Sequence, residues 1–242
     1  IIISIPFYLS IYNLSFLNSY FEAISGFTST GFTIFDNIKH IDESLIIWRS
    51  TSQWIGGLYF LFSIILLIDI FDENLKKSLT NYLSINPTEI FRQSFKIIII
   101  YFSLTLAIFI ILKLIDIRTF DAFNFSLTII SSGGFLSTNN FDLLFRSDIS
   151  KITLSILMLV SYFSLFLVYN IIFFKKKNLS YLSEDFYLLI YLFFVISIIF
   201  VFFNYENNFL NLLVSISSSV SNIGISFSNS SPNLIFLFLI LV

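Results

Sequence analysis

Residues Ser25 to Thr33 read SGFTSTGFT, five hydroxyls and two glycines in nine positions. They stand in a chain that is 57% hydrophobic, 19% aromatic and only 12% charged, with a mean hydropathy of +0.91. A soluble domain carries about a quarter charged residues, so this composition is that of an integral membrane protein. Runs such as Phe186 to Phe203, eighteen residues without a charge, are long enough to cross a hydrocarbon core of about 30 Å as helix. At that depth a polar, glycine-containing stretch is tolerated only where it is buried in protein or lines a water-filled cavity.

The remaining composition narrows the chemistry. A net charge of -2 points to no nucleic acid or other strongly charged partner. The absence of cysteine excludes disulfides and thiolate metal sites, and the single histidine, His40, excludes a histidine cluster within this chain. The start, IIISIPFYLS, has neither Met nor a basic segment and is read as the end of a hydrophobic helix rather than a signal peptide. The last run, Ser231 to Val242, is half the length that spans, so both ends are expected to be cut helices.

Long hydrophobic segments run from about Ser44 to Phe71, Phe91 to Ile115, Ile149 to Phe174 and Phe186 to Phe203. Two kinds of connection alternate between them. One kind is charged and free of glycine, Asp72 to Gln93 and Lys175 to Asp185. The other holds a short half-hydrophobic segment followed by a Ser/Thr/Gly knot: NSYFEAISGFTSTGFTIFDN, TFDAFNFSLTIISSGGFLSTNN and NNFLNLLVSISSSVSNIGISFSNSSP. Strict alternation puts all knots on one side of the membrane. The other side carries seven basic residues clustered by helix ends, Lys76, Lys77 and Lys175 to Lys177 among them, and is expected to be cytoplasmic. The knot side has nine acids against six bases, a balance that concentrates cations at its mouth.

The layout repeats at roughly 100 residues, a period sought before any other reading of a chain. Three units are expected: residues 1–86, 87–180 and 181–242, the first lacking its front and the last truncated in its second helix. The segments before the knots, about Asn18 to Phe27, Thr119 to Ile130 and Asn208 to Ser219, are half-length helices that can re-enter the bilayer without spanning it. The first two both carry Phe-acid-Ala, placing Glu22 and Asp121 at matching positions. Five of the seven glycines lie in or beside the knots, where they free the backbone to turn consecutive carbonyls one way. Such carbonyls, with Ser or Thr hydroxyls as a further layer, replace the hydration shell of a monovalent cation, while the lack of carboxylates in the knots disfavours Ca²⁺. Gly56 and Gly57, in WIGG, are expected to let the following helix pack closely on a pore helix.

These residues resemble a known family. YFEAISGFTSTGFT with IIWRSTSQWIGG is similar to the first pore loop and second helix of the Trk/Ktr/HKT superfamily of potassium transporters. FDAFNFSLTIISSGGFLSTNN resembles the second pore loop, and LLVSISSSVSNIGISFSNSSP the third. The resemblance implies an all-α integral membrane fold of repeated helix-pore loop-helix units, K⁺ channel-like, with three partial or complete repeats here of an expected four. Each repeat would give one glycine to a selectivity filter: Gly31, Gly134 (or Gly133) and Gly224. Thr28, Ser29, Thr30, Ser131, Ser132, Ser221, Asn222 and Ile223 would line the approach, and K⁺ would be held by backbone carbonyls of these residues. It also implies no cofactor beyond K⁺ as the transported ion, a homodimer in membrane lipid, a cytosolic nucleotide-binding regulatory subunit, and the bacterial inner membrane with pore loops outside. Because three loops cannot close a fourfold ring, the 242 residues alone are expected not to conduct.

Other residues have plainer readings. Arg49, beside Trp48 at a helix start, is expected to snorkel to the interface; Asp36, Asp42, Glu43 and His40 are expected at the surface. An enzyme is disfavoured, since the hydrophobic segments offer no convergent titratable groups. A secondary transporter of another class and a non-conducting membrane assembly protein stay open as alternatives.

Overall fold

The computed structural model describes residues 1–71, 90–138, 141–173 and 209–225, with single positions 187 and 190. Among these residues all regular structure is helical. After a 3₁₀ turn come α1 (Ile5–Tyr8), α2 (Phe16–Phe27), α3 (Glu43–Phe71), α4 (Ile90–Leu114), α5 (Thr119–Ile130), α6 (Phe141–Leu144), α7 (Asp148–Phe173) and α8 (Phe209–Val220). The expected segment from Phe186 to Phe203 lies outside the described residues except for Tyr187 and Ile190. So do the chain beyond Ile225 and the basic clusters at Lys76, Lys77 and Lys175 to Lys177.

The helices fall into two lengths, and composition explains both. Helices α3, α4 and α7 have 29, 25 and 26 residues, about 40 Å at 1.5 Å per residue, and contain no proline to end them. Helices α2, α5 and α8 have 12 residues each, and each stops at or within its Ser/Thr/Gly knot. The first is started by Ser15, whose backbone is extended and whose side-chain oxygen accepts the Asn18 N–H at 3.2 Å.

Long helices surround short ones. Helix α5 is the hub: it packs on α3, α4 and α7, and α8 packs along α7. Its residues Asn124 to Ile130 are all buried, and Phe125, Ile129 and Ile130 among them join Tyr101, Leu112, Leu154, Met158, Val214 and Ile223 in one apolar cluster. A second cluster, Phe7, Ala23, Ile38, Ile41, Leu45 and Ile46, holds α2 against the start of α3.

The outer surface is apolar at helical spacing. On α4, Phe95, Ile99, Phe102, Leu106, Ile110 and Leu114 are exposed, and on α7, Ile149, Ile152, Ile156 and Val160. Faces of this kind are solvated by hydrocarbon, not water. Phe95 to Leu114 is long and apolar enough to cross a membrane, with a mean hydropathy of 2.6.

Candidate functional site

The three short helices end in one and the same turn. In the first, the N–H of Thr28 donates to Ile24 O, that of Ser29 to Gly26 O and that of Thr30 to Ser25 O. Ser131, Ser132 and Gly133 repeat this on Leu127, Ile129 and Thr128, and Ser221, Asn222 and Ile223 repeat it on Ser217, Ser219 and Ser218. This is a Schellman closure, with its left-handed residue supplied by Ser29 (φ 53°), Ser132 (φ 52°) and Asn222 (φ 58°) instead of glycine.

A hydroxyl two residues before each helix end then straps the loop. Ser25 Oγ donates to Phe32 O at 2.5 Å and Thr128 Oγ1 to Phe135 O at 3.0 Å, while the Ile225 N–H donates to Ser218 Oγ at 2.6 Å. The three contacts span seven residues each. What the sequence displays as scattered serines is a single device used three times.

The shared turn sets the register of the glycines. Counting four residues past each helix end gives Gly31, Gly134 and Gly224; Gly133 falls one short and packs its α-carbon on the Gln53 side chain. Of the three, Gly31 and Gly224 take positive φ, 79° and 75°. The loops also meet. A Cβ on Gly31 would lie 2.5 Å from Gly134 Cα, and one on Gly134 would lie 3.0 Å from the Ile223 carbonyl oxygen and 3.1 Å from Gly31 Cα. Gly224 has no atom of the described residues within 4 Å of that position.

The other sequence-selected side chains are placed less uniformly. Thr28 Oγ1 donates to Ile24 O at 2.8 Å and lies 2.7 Å from Thr30 Oγ1. Ser131 and Ser221 are buried, and their hydroxyls donate back to their own helices, to Leu127 O at 2.9 Å and Ser218 O at 3.2 Å. These three hydroxyls serve to close the helix ends.

Two readings of charged residues are corrected. Arg49 does not snorkel: its side chain is 1% exposed and paired with a wholly buried Glu22, Nε to Oε1 at 2.9 Å. Proximity of Trp48 mimicked an interfacial arginine, whereas the residue that neutralises it lies 27 positions back on α2. Glu22 and Asp121 do not occupy matching positions, because Glu22 is the seventh residue of α2 and Asp121 the third of α5. They are one helical turn apart once the glycines are aligned. Each nevertheless holds its own loop seven residues past the helix end: Glu22 Oε2 accepts the Ile34 N–H at 3.0 Å, and Asp121 Oδ1 accepts the Ser137 hydroxyl at 2.7 Å. Glu43, by contrast, is at the surface as expected, where it pairs with Arg118.

Behind the loops stands α3. Gly56 lies against the Phe27 carbonyl, and Gly57 against Tyr101 Oη and Ser131, so the WIGG pair is where α3 passes between two half-helices. Gln53, fully buried, sets its side-chain amide against the Gly134–Phe135 backbone: its oxygen accepts the Phe135 N–H at 3.4 Å, and with the amide turned over the oxygen accepts the N–H groups of both Gly134 and Phe135 at 3.1 Å. The signal for Gln53 was its spacing, four residues after Arg49 and three before Gly56 on one helix face.

No family model matches the chain. It is 33% identical over 161 residues to an uncharacterised cation transporter of Methanocaldococcus jannaschii, covering 65% of this chain and 33% of that protein. A stretch of 55 residues is 40% identical to the Trk system potassium uptake protein TrkI of Halomonas elongata, 23% of this chain and 11% of the relative. Among solved structures, the potassium transporter TrkH of Vibrio parahaemolyticus superposes with a TM-score of 0.71 over 95% of this chain and 49% of its own, at 20% identity. That likeness is one of fold. The chain thus spans about a third of the first relative and about half of the solved neighbour.

Proposed function

We propose that this chain belongs to the Trk family of membrane transporters, a reading supported by the similarities above, and that it carries three loops of a K⁺ pathway. Backbone carbonyls of Thr28 to Gly31, Ser131 to Gly134 and Ser221 to Gly224 form a selectivity filter. The observation that carries this reading is the meeting of Gly31 with Gly134 and of Gly134 with the Ile223 carbonyl, at the ends of three half-helices that terminate alike. Loops brought that close, with no side chain between them, present carbonyl oxygens in place of water around a monovalent cation.

Helix electrostatics supports the same sign of ligand. All three loops follow the C-terminal ends of their half-helices, where the macrodipole is negative. A transporter binding organic anions would place helix N-termini at its site. No bond is made or broken in this function, and K⁺ enters as cargo, with Na⁺ as its companion ion.

The wider reading keeps the division into units at 1–86, 87–180 and 181–242. The loops face outward in a bacterial inner membrane, with the clusters at Lys76, Lys77 and Lys175 to Lys177 cytoplasmic by the positive-inside bias. Homodimerisation and a cytosolic nucleotide-binding regulator belong to this reading through the family resemblance.

The test is Gly31→Ser in the full product of the gene that encodes this chain, expressed in cells lacking their own K⁺ uptake. A filter loses Rb⁺ uptake or its discrimination against Na⁺. Uptake identical to the parent at equal membrane abundance would leave a scaffold as the better account.

A further inference from the structure

The described structure buries an ion pair that carbonyl coordination does not use. Glu22 and Arg49 are both buried, on helices that meet behind the first loop. Charges in such a place are expensive unless fully partnered, so their partners indicate what they hold. Glu22 accepts from the Thr33 hydroxyl, at 2.9 and 3.2 Å, and from the Ile34 N–H. Arg49 Nη2 donates to the same Thr33 oxygen at 2.9 Å. The pair thus grips the exit of loop 1, two and three residues past Gly31.

The same arginine reaches loop 2. Its guanidinium carbon lies 4.2 Å from the centroid of the Phe135 ring, and Nη1, buried, has no hydrogen-bond partner. A cation over an aromatic face is held electrostatically by the ring, and Phe135 is the residue directly after Gly134. One turn further along α3, the Gln53 side-chain amide lies within hydrogen-bonding reach of the Gly134 and Phe135 N–H groups and accepts both once its oxygen is turned to them. Arg49 and Gln53 therefore hold both loops from one rigid helix face.

We propose that Glu22, Arg49 and Gln53 are positioning residues that fix the height of Gly31 relative to Gly134, and through it the discrimination between cations. Each loop has its own Schellman turn and strap, which set its internal shape. Those turns do not set one loop's offset from the next; besides the direct meeting of Gly31 with Gly134, the α3 face holds both loops. Carbonyl sites tell ions apart by the number and arrangement of coordinating oxygens, so a change in offset alters selectivity even when both loops stay folded. The inference rests on the filter reading above.

The experiment uses the full gene product in K⁺-uptake-deficient cells and measures Rb⁺ uptake, its inhibition by Na⁺, and membrane abundance. Arg49→Lys keeps the charge and loses the planar fork that spans Thr33 and Phe135. It is expected to change the Na⁺ concentration giving half-inhibition by roughly tenfold, the scale of one lost buried hydrogen bond, with abundance within about twofold of the parent. Phe135→Leu leaves the ion pair intact and removes only the ring beneath it; it is expected to shift the same quantity in the same direction and serves if Arg49→Lys does not accumulate. Unchanged Na⁺ inhibition in the variants that accumulate, whether or not uptake falls with abundance, overturns the proposal. Gly31→Ser, run alongside, separates the levels. If it alters discrimination while Arg49→Lys and Phe135→Leu do not, the filter stands and the positioning role falls; if the parent carries no Rb⁺, both fall.

Discussion

Gly56 of α3 lies against the backbone carbonyl of Phe27, the last residue of the first half-helix, with no room for a methyl group between them. The obstacle is backbone on both sides, so no rotamer change relieves it. A Cβ on Gly57, the next residue, would lie 2.6 Å from the Tyr101 hydroxyl, the far end of a side chain, and 3.1 Å from Ser131 Cβ, a looser approach than at Gly56. Gly56→Ala is therefore expected to destabilise at the upper end of the about 1–3 kcal/mol typical of overpacking, and Gly57→Ala less. Thermal unfolding of the purified gene product in detergent checks the order, and equal melting temperatures would contradict it.

The three straps differ in what they leave behind when cut. Ser218→Ala orphans the buried Ile225 N–H, whereas Ser25→Ala frees the Phe32 carbonyl, which retains a second lone pair and sits on an exposed residue. Orphaned buried donors are the rarer and costlier case. Ser218→Ala is expected to cost about 1–3 kcal/mol and Ser25→Ala about 1 kcal/mol or less. Denaturation curves of the two variants measure the difference.

Removing one member of a buried ion pair leaves the other uncompensated. Glu22→Gln and Arg49→Met are each expected to cost about 3–5 kcal/mol, and the double variant less than either, because no charge then remains buried. The sign of the coupling in a double-mutant cycle decides the matter. Additive effects would mean that the two side chains are not energetically paired.

The filter glycines should not be equal. At Gly31 a Cβ meets Gly134 at 2.5 Å and the φ of 79° adds strain; at Gly134 the nearest atom is 3.0 Å away; at Gly224 no atom of the described residues lies within 4 Å, and among them the φ of 75° is what resists. Alanine at Gly224 is expected to cost about 1–3 kcal/mol of backbone strain alone. Rb⁺ uptake should therefore fall most in Gly31→Ala, and at Gly224 uptake should survive best. The reverse order would place the loops differently from the contacts described here.

Much of this was written locally. The half-helices end where serine, threonine and glycine replace apolar residues, and their limits of Phe27, Ile130 and Val220 lie within a residue of those read from the chain. The expected spans from Ser44, Phe91 and Ile149 begin one residue after the observed helices. Helix periodicity and chain-breaking residues act over one or two turns, which is why sequence determined the helix limits, the membrane class and the recurrence of the knots. Tertiary structure alone decided the partners. That Arg49 is buried, that Glu22 rather than water neutralises it, that Gly134 rather than Gly133 aligns with Gly31, and that Asp121 acts from one turn lower than Glu22 all depend on how α3 passes between α2 and α5. The free energy of a charge or an amide is set by what packs against it, and here Glu22 lies 27 positions before Arg49 and Phe135 lies 82 positions after Gln53.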